Sequence, residues 1–201
     1  MSAIRTIKVG RVHADISLQS NESTIETGKH ADTTVLVANY LPINDFWRSV
    51  DVSGWYASAG SGDCPTISRS IAYDHPINRQ VYMLVFHQAI QCPSLTSHSM
   101  CPMQIRMSGV IINDLPKFLA EDPDENTHAI RVDYPLNPNE PLVIPLSLKG
   151  ITVYFLSSKP KAGEYEDELI PRIDLTSKAP VWEPSETSFE EQGDAMNDFR
   201  G

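Results

Sequence analysis

Apolar residues recur along this chain in short runs, and most of the runs have the period of a strand. Residues 35–38 (Val-Leu-Val-Ala) are brief and β-branched in part. Residues 49–55 and 67–73 alternate apolar with polar side chains, which directs one face of each run toward a core. Residues 81–86 (Val-Tyr-Met-Leu-Val-Phe) are almost continuously apolar, the pattern of a central strand. Breakers separate these runs: a Gly/Ser loop at 59–63 and an Asp-His-Pro-Ile-Asn turn at 74–78. A helix is expected next, capped by Ser97 or Ser99. Met100, Met103, Ile105 and Met107 supply its apolar contacts, Pro102 fits only its first turn, and Gly109 stops it. Residues 110–113 return to extended character. A second strand group follows at 129–132 and 142–144, around a Pro/Asn-rich turn at 135–141, and at 151–156. After Lys161 the pattern decays, although 186–198 has the makings of a short helix. No internal repeat is present. Short strands at this spacing indicate a small barrel or sandwich rather than a parallel α/β sheet.

Charge changes the picture at one end. The 201 residues carry a formal net charge of −10. Residues 164–201 hold 11 acidic and 3 basic side chains, leaving the body nearly neutral. With Pro171, Pro180 and Pro184 in the same stretch, it reads as an acidic, poorly ordered C-terminal tail. Neither part has the basic patch that phosphate binding requires, so nucleic acid is not an expected partner. No apolar run approaches the roughly 20 residues that span a bilayer, so no membrane partner is expected either. Residues 1–6 lack the apolar stretch of a secretory signal. Three sparse cysteines, Cys64, Cys92 and Cys101, do not make a disulfide framework. Together these features suggest a reducing intracellular compartment, cytoplasmic or nuclear.

Several residue groups invite chemistry. His87, Cys92, His98 and Cys101 have metal-ligating side chains, but their His-x4-Cys and His-x2-Cys spacings form no zinc knuckle, and buried thiols with hydrogen-bonded histidines are the expectation. Cys64 follows a glycine-rich loop and precedes Pro65, where nothing lowers a thiol pKa. Gly60-Ser61-Gly62 lacks the Lys-Ser/Thr of a phosphate cradle. Met100, Met103 and Met107 read as core packing. No metal or cofactor is expected.

The residues around Gly28 carry a more specific signal. Gly28-Lys29-His30-Ala31-Asp32-Thr33 leads into the apolar run at 35–38. It resembles the active-site turn of retropepsin-like aspartic proteases of copia-type retrotransposon polyproteins, where Asp-Ser-His-Ala-Asp-Thr is common. Shorter blocks resemble the same polyproteins in the same order. They include His87-Gln88-Ala89-Ile90, Cys101-Pro102-Met103-Gln104, Ile144-Pro145-Leu146 and Trp182-Glu183-Pro184. The resemblance implies a mainly β fold: a small closed barrel with one short helix over residues 24–118, after an N-terminal extension at 1–23. Accessory strands at 119–160 and the acidic tail at 161–201 follow.

In that family each chain supplies one Asp, and two chains pair so that two carboxylates share a proton and activate water. Gly28 stands where that Asp would be, and Lys29 replaces the hydroxyl residue. The resemblance therefore implies a degenerate aspartic endopeptidase that retains dimerisation or binding of an extended peptide. The alternatives are an active homodimeric endopeptidase using Asp32 as its catalytic carboxylate, and a structural spacer of a polyprotein. Asp32 is expected to act as a turn carboxylate and His30 as a structural polar group.

Overall fold

The computed structural model describes residues 6–9, 22–25, 32–37, 40–54, 62–91, 98–133 and 141–198. Strands account for 40% of the chain and helical residues for 13%, so the mainly β reading holds. Its centre is a meander. β4 (Leu41–Gly54) pairs antiparallel with β5 (Gly62–Asp74), and β5 pairs antiparallel with β6 (Val81–Gln91). The turn between β5 and β6 is organised by His75. Its Nδ1 accepts from the backbone N–H of Ile77 and of Asn78, both at 3.3 Å, while the His75 backbone N–H donates to Gln80 O at 2.9 Å. Every residue from 82 to 90 is buried, as the continuous apolar run predicts for a central strand.

The opposite edge of β6 is divided between two short strands. β13 (Arg172–Asp174) runs parallel to residues 83–85, and β3 (Val35–Leu36) runs parallel to Ile90 and Gln91. From β3 the sheet continues through β7 (Ser99–Met100), β2 (Glu22–Ile25), β12 (Thr152–Leu156) and β11 (Ser147–Lys149). At its other end β1 (Thr6–Val9) pairs parallel with β4. A separate antiparallel sheet holds β8 (Ile111–Asn113), β9 (Ala129–Val132) and β10 (Leu142–Pro145). One hydrophobic cluster joins the two sheets, drawing Leu36, Leu84 and Phe86 together with Ile112, Ile130, Ile144 and Phe155.

Four expectations are corrected. The expected small closed barrel is not found: the strand order stays open from β1 to β11, with no pairing between these ends among the described residues. The region read as a poorly ordered tail contains the unexpected strand β13, while the short helix expected at 186–198 is present as α2 (Ser188–Asp198). Within Arg172-Ile173-Asp174-Leu175 the alternation puts Ile173 and Leu175 into the core at 1% and 0% exposure, while Arg172 and Asp174 face out. The surrounding proline and acid hid a strand only three residues long. The first helix, α1 (Pro102–Arg106), starts later than expected. Ser99 is in a strand, and Cys101 is the N-cap, its thiol accepting from Gln104 N–H at 3.5 Å. Pro102 occupies the first turn as predicted, and Gly109 leaves the helix at φ +84°. Met100 is fully buried, but Met103 and Met107 are 43% and 52% exposed, so the methionine-rich stretch is only partly core.

Candidate functional site

The described part of the proposed turn begins at Asp32; Gly28, Lys29, His30 and Ala31 lie outside the described residues. Asp32 is half-buried, and its Oδ1 accepts from the Thr33 hydroxyl at 3.0 Å. That is the behaviour of a turn carboxylate bonded to its own neighbourhood.

Thr34, fully buried, fixes the turn to the rest of the fold. Its N–H donates to Gln104 Oε1 at 2.9 Å, its Oγ1 accepts from Cys101 N–H at 3.1 Å, and its carbonyl accepts from Ile90 N–H at 2.9 Å. Just beyond, Val37 N–H donates to His98 Nδ1 at 3.1 Å, which makes that ring nitrogen an acceptor and places the imidazole proton on Nε2. Buried backbone polar groups must find partners. Here α1 and the segment before it provide them through Gln104, Cys101 and His98. Burial pushes the Cys101 thiol pKa up, and the nearby Asp32 charge adds to that rise. Cys101 is therefore a neutral capping group rather than a nucleophile.

A second set of contacts reaches the turn from the C-terminal region. The Trp182 indole N–H donates to Asp32 O at 2.9 Å and lies 3.1 Å from Thr33 Oγ1. Trp182 also stacks at a tilt on Phe189 of α2, with ring centroids 5.8 Å apart. Gln88 joins these parts. Its side-chain Nε2 donates to the carbonyls of Ser177 and Pro180 at 3.0 and 2.9 Å, and its Oε1 accepts from Trp182 N–H at 2.8 Å. The Gln88 carbonyl in turn accepts from Gln104 Nε2 at 3.3 Å. Gln88 has φ +56°, an unusual conformation for a residue with a side chain. Gln88, Gln104 and Trp182 each stand in one of the blocks that resemble retroelement polyproteins, but none of them is an expected site residue.

The remaining candidates are dispersed. His87 lies elsewhere on β6, buried at 2% exposure. Its Nδ1 lies 2.8 Å from Ser68 Oγ, and its Nε2 lies 3.2 Å from Asp174 Oδ1. This chain has the connectivity of a Ser-His-Asp triad, but Ser68 is itself only 2% exposed, so no substrate reaches its hydroxyl. It works as a cross-link between β5, β6 and β13. The hydrogen bond from His87 holds the Asp174 carboxyl below its usual pKa, and the charges of His87 and Lys178 act in the same direction. Cys64 is half-buried in the β4–β5 ladder opposite Val50. Cys92, Gly60 and Ser61 lie outside the described residues, and Gly62 begins β5. His87 and His98 each bond within their own surroundings, and among the described residues no three His, Cys, Asp or Glu side chains gather as a metal site. No described helix is long and apolar enough to cross a membrane.

Comparison of the chain with family models, with curated proteins and with solved structures finds no match.

Proposed function

We propose that this chain is a retropepsin-like domain of a retroelement polyprotein whose active-site turn sequence lacks the water-activating carboxylate. The observation that carries this reading is the seat of the turn. The strand that leaves it, β3, is inserted between β6 and β7, and Thr34 is held by three buried hydrogen bonds. At the position where the resemblance calls for Asp, the sequence has Gly28. Water activation by an aspartic endopeptidase needs two carboxylates sharing one proton, one from each copy. Glycine offers none, and the Asp32 carboxylate is engaged with Thr33.

A scaffold of this kind keeps two uses. It holds an extended peptide by strand addition along an open sheet edge, and it pairs with a second copy that covers otherwise unpaired edges. The open strand order supports both uses, because β11 ends the sheet with one edge unpaired among the described residues. The exposed apolar side chains of Met107, Ile111, Phe118 and Leu119 offer further surface for a second copy.

The test is cleavage of a generic peptide library by the unaltered chain in the acidic range, about pH 4 to 6, where one carboxylate of such a pair is protonated. No cleavage is expected. Cleavage that disappears with Asp32→Ala would replace this reading with that of an active endopeptidase using Asp32.

A further inference from the structure

The contacts between the C-terminal segment and the turn have the form of a bound peptide rather than of a core element. Up to Thr176 the segment is anchored by burial: Leu175 and Thr176 are 0% and 1% exposed, and Thr176 exchanges hydrogen bonds with the backbone of His87. From 177 to 181 every residue is exposed, and the chain is held chiefly through polar groups. The Gln88 amide uses both its donor and its acceptor functions on main-chain groups of the segment. Ser108 Oγ accepts from Ser177 N–H at 2.8 Å. Trp182 delivers its indole N–H to Asp32 O and Thr33 Oγ1 of the turn.

An amide that reads carbonyls and N–H groups accepts many sequences, whereas an indole donor placed on a carbonyl and a hydroxyl demands tryptophan. With the segment in place Gln88 is 8% exposed, and its backbone is held at positive φ.

We propose that Gln88, Ser108 and the Asp32–Thr33 turn form a binding site for a bent, tryptophan-bearing peptide, and that residues 177–182 of this same chain occupy it. The site is self-occluded. A tether supplies its ligand at millimolar effective concentration, so an external peptide of the same kind competes poorly until the tethered one is weakened. This inference goes beyond the strand addition proposed above by naming a second peptide site, and it rests on the turn's contacts and not on the missing carboxylate.

The experiment uses the full chain and a fluorescein-labelled synthetic peptide of residues 177–190, followed by fluorescence anisotropy. Trp182→Ala and, separately, Trp182→Phe remove the tethered indole donor; the phenylalanine variant keeps a ring against Phe189. Hydrogen exchange in β5 and β6 confirms that each variant retains its core. The peptide is expected to bind either variant at least about tenfold more tightly than it binds the unaltered chain. That binding is expected to be lost when the peptide carries alanine in place of its tryptophan, or when Gln88→Ala is added to the chain. Equal binding to the variant and unaltered chains, no binding to either variant, or binding indifferent to the peptide's tryptophan would overturn the proposal. Peptide binding alongside a Gly28→Asp chain that does not cleave would count against the protease ancestry alone. Cleavage by Gly28→Asp without peptide binding would count against this site alone.

Discussion

Gln104 has two buried obligations: its Oε1 accepts from Thr34 N–H, and its Nε2 donates to the Gln88 carbonyl. Gln104→Leu keeps most of the volume and removes both bonds, leaving a buried N–H without its acceptor. The expected cost is about 1–3 kcal/mol, seen as a lower urea midpoint. An unchanged midpoint would mean that the turn is held some other way. Asp174 gives a pH-dependent counterpart. Its folded pKa is depressed, first by the His87 hydrogen bond. Its contribution is therefore present above the ordinary carboxylate range, about pH 4, and is lost as pH falls through the lower folded value. At 62% side-chain exposure that contribution is screened and small. Asp174→Asn is expected to lower stability near neutrality and to match the unaltered chain in strong acid, as measured by thermal melts across pH. A difference that persists unchanged into strong acid would contradict the assignment.

At the scale of elements, β13 shows how a three-residue strand is stabilised mainly by burial and little by its own length. Leu175 is fully buried, whereas Leu169, six residues earlier in the same acidic stretch, is 87% exposed. Leu175→Ala is expected to cost about 3 kcal/mol, in the range for a leucine removed from a packed core. Leu169→Ala should stay within about 0.5 kcal/mol of the unaltered chain. Chemical denaturation of the two variants makes the comparison, and equal effects would show that the segment does not pack as described. The long strands were legible because their periodicity exceeds background. The alternation at 67–73 became β5, although both of its faces are buried, with Ser68, Arg69 and Ser70 no more than 5% exposed, and the apolar run at 81–86 became the core of β6. β7 and β13 escaped because two or three residues carry no period, and their pairing comes from distant chain. The Cys101 cap escaped because cysteine is an uncommon cap, and two nearby serines gave a stronger local signal.

In the molecule as a whole, the local sequence could name the turn but not its supports. Asp32 and Thr33 were visible as a motif. Gln88, Gln104 and Trp182 meet them only through folding, since Trp182 is 150 residues from Asp32 and Gln104 is 70 from Thr34. The expected barrel failed for a related reason. Strand periodicity reports which face is buried, and it does not report whether the last strand returns to the first. The result is an open sheet in which Thr34 is held from the side of α1 and Asp32 and Thr33 are contacted by Trp182 of the C-terminal segment. Restoring the absent carboxylate by Gly28→Asp tests the account most directly. The measurement is the rate of peptide cleavage in mild acid against protein concentration, compared with the unaltered chain. The account predicts no turnover from the unaltered chain, and turnover from a Gly28→Asp chain that also carries Trp182→Ala, which weakens the segment covering the turn, rising faster than linearly with concentration, because each copy contributes one carboxylate to a shared site. Equal turnover by both chains, or none by a Gly28→Asp, Trp182→Ala chain that folds and self-associates, would contradict it.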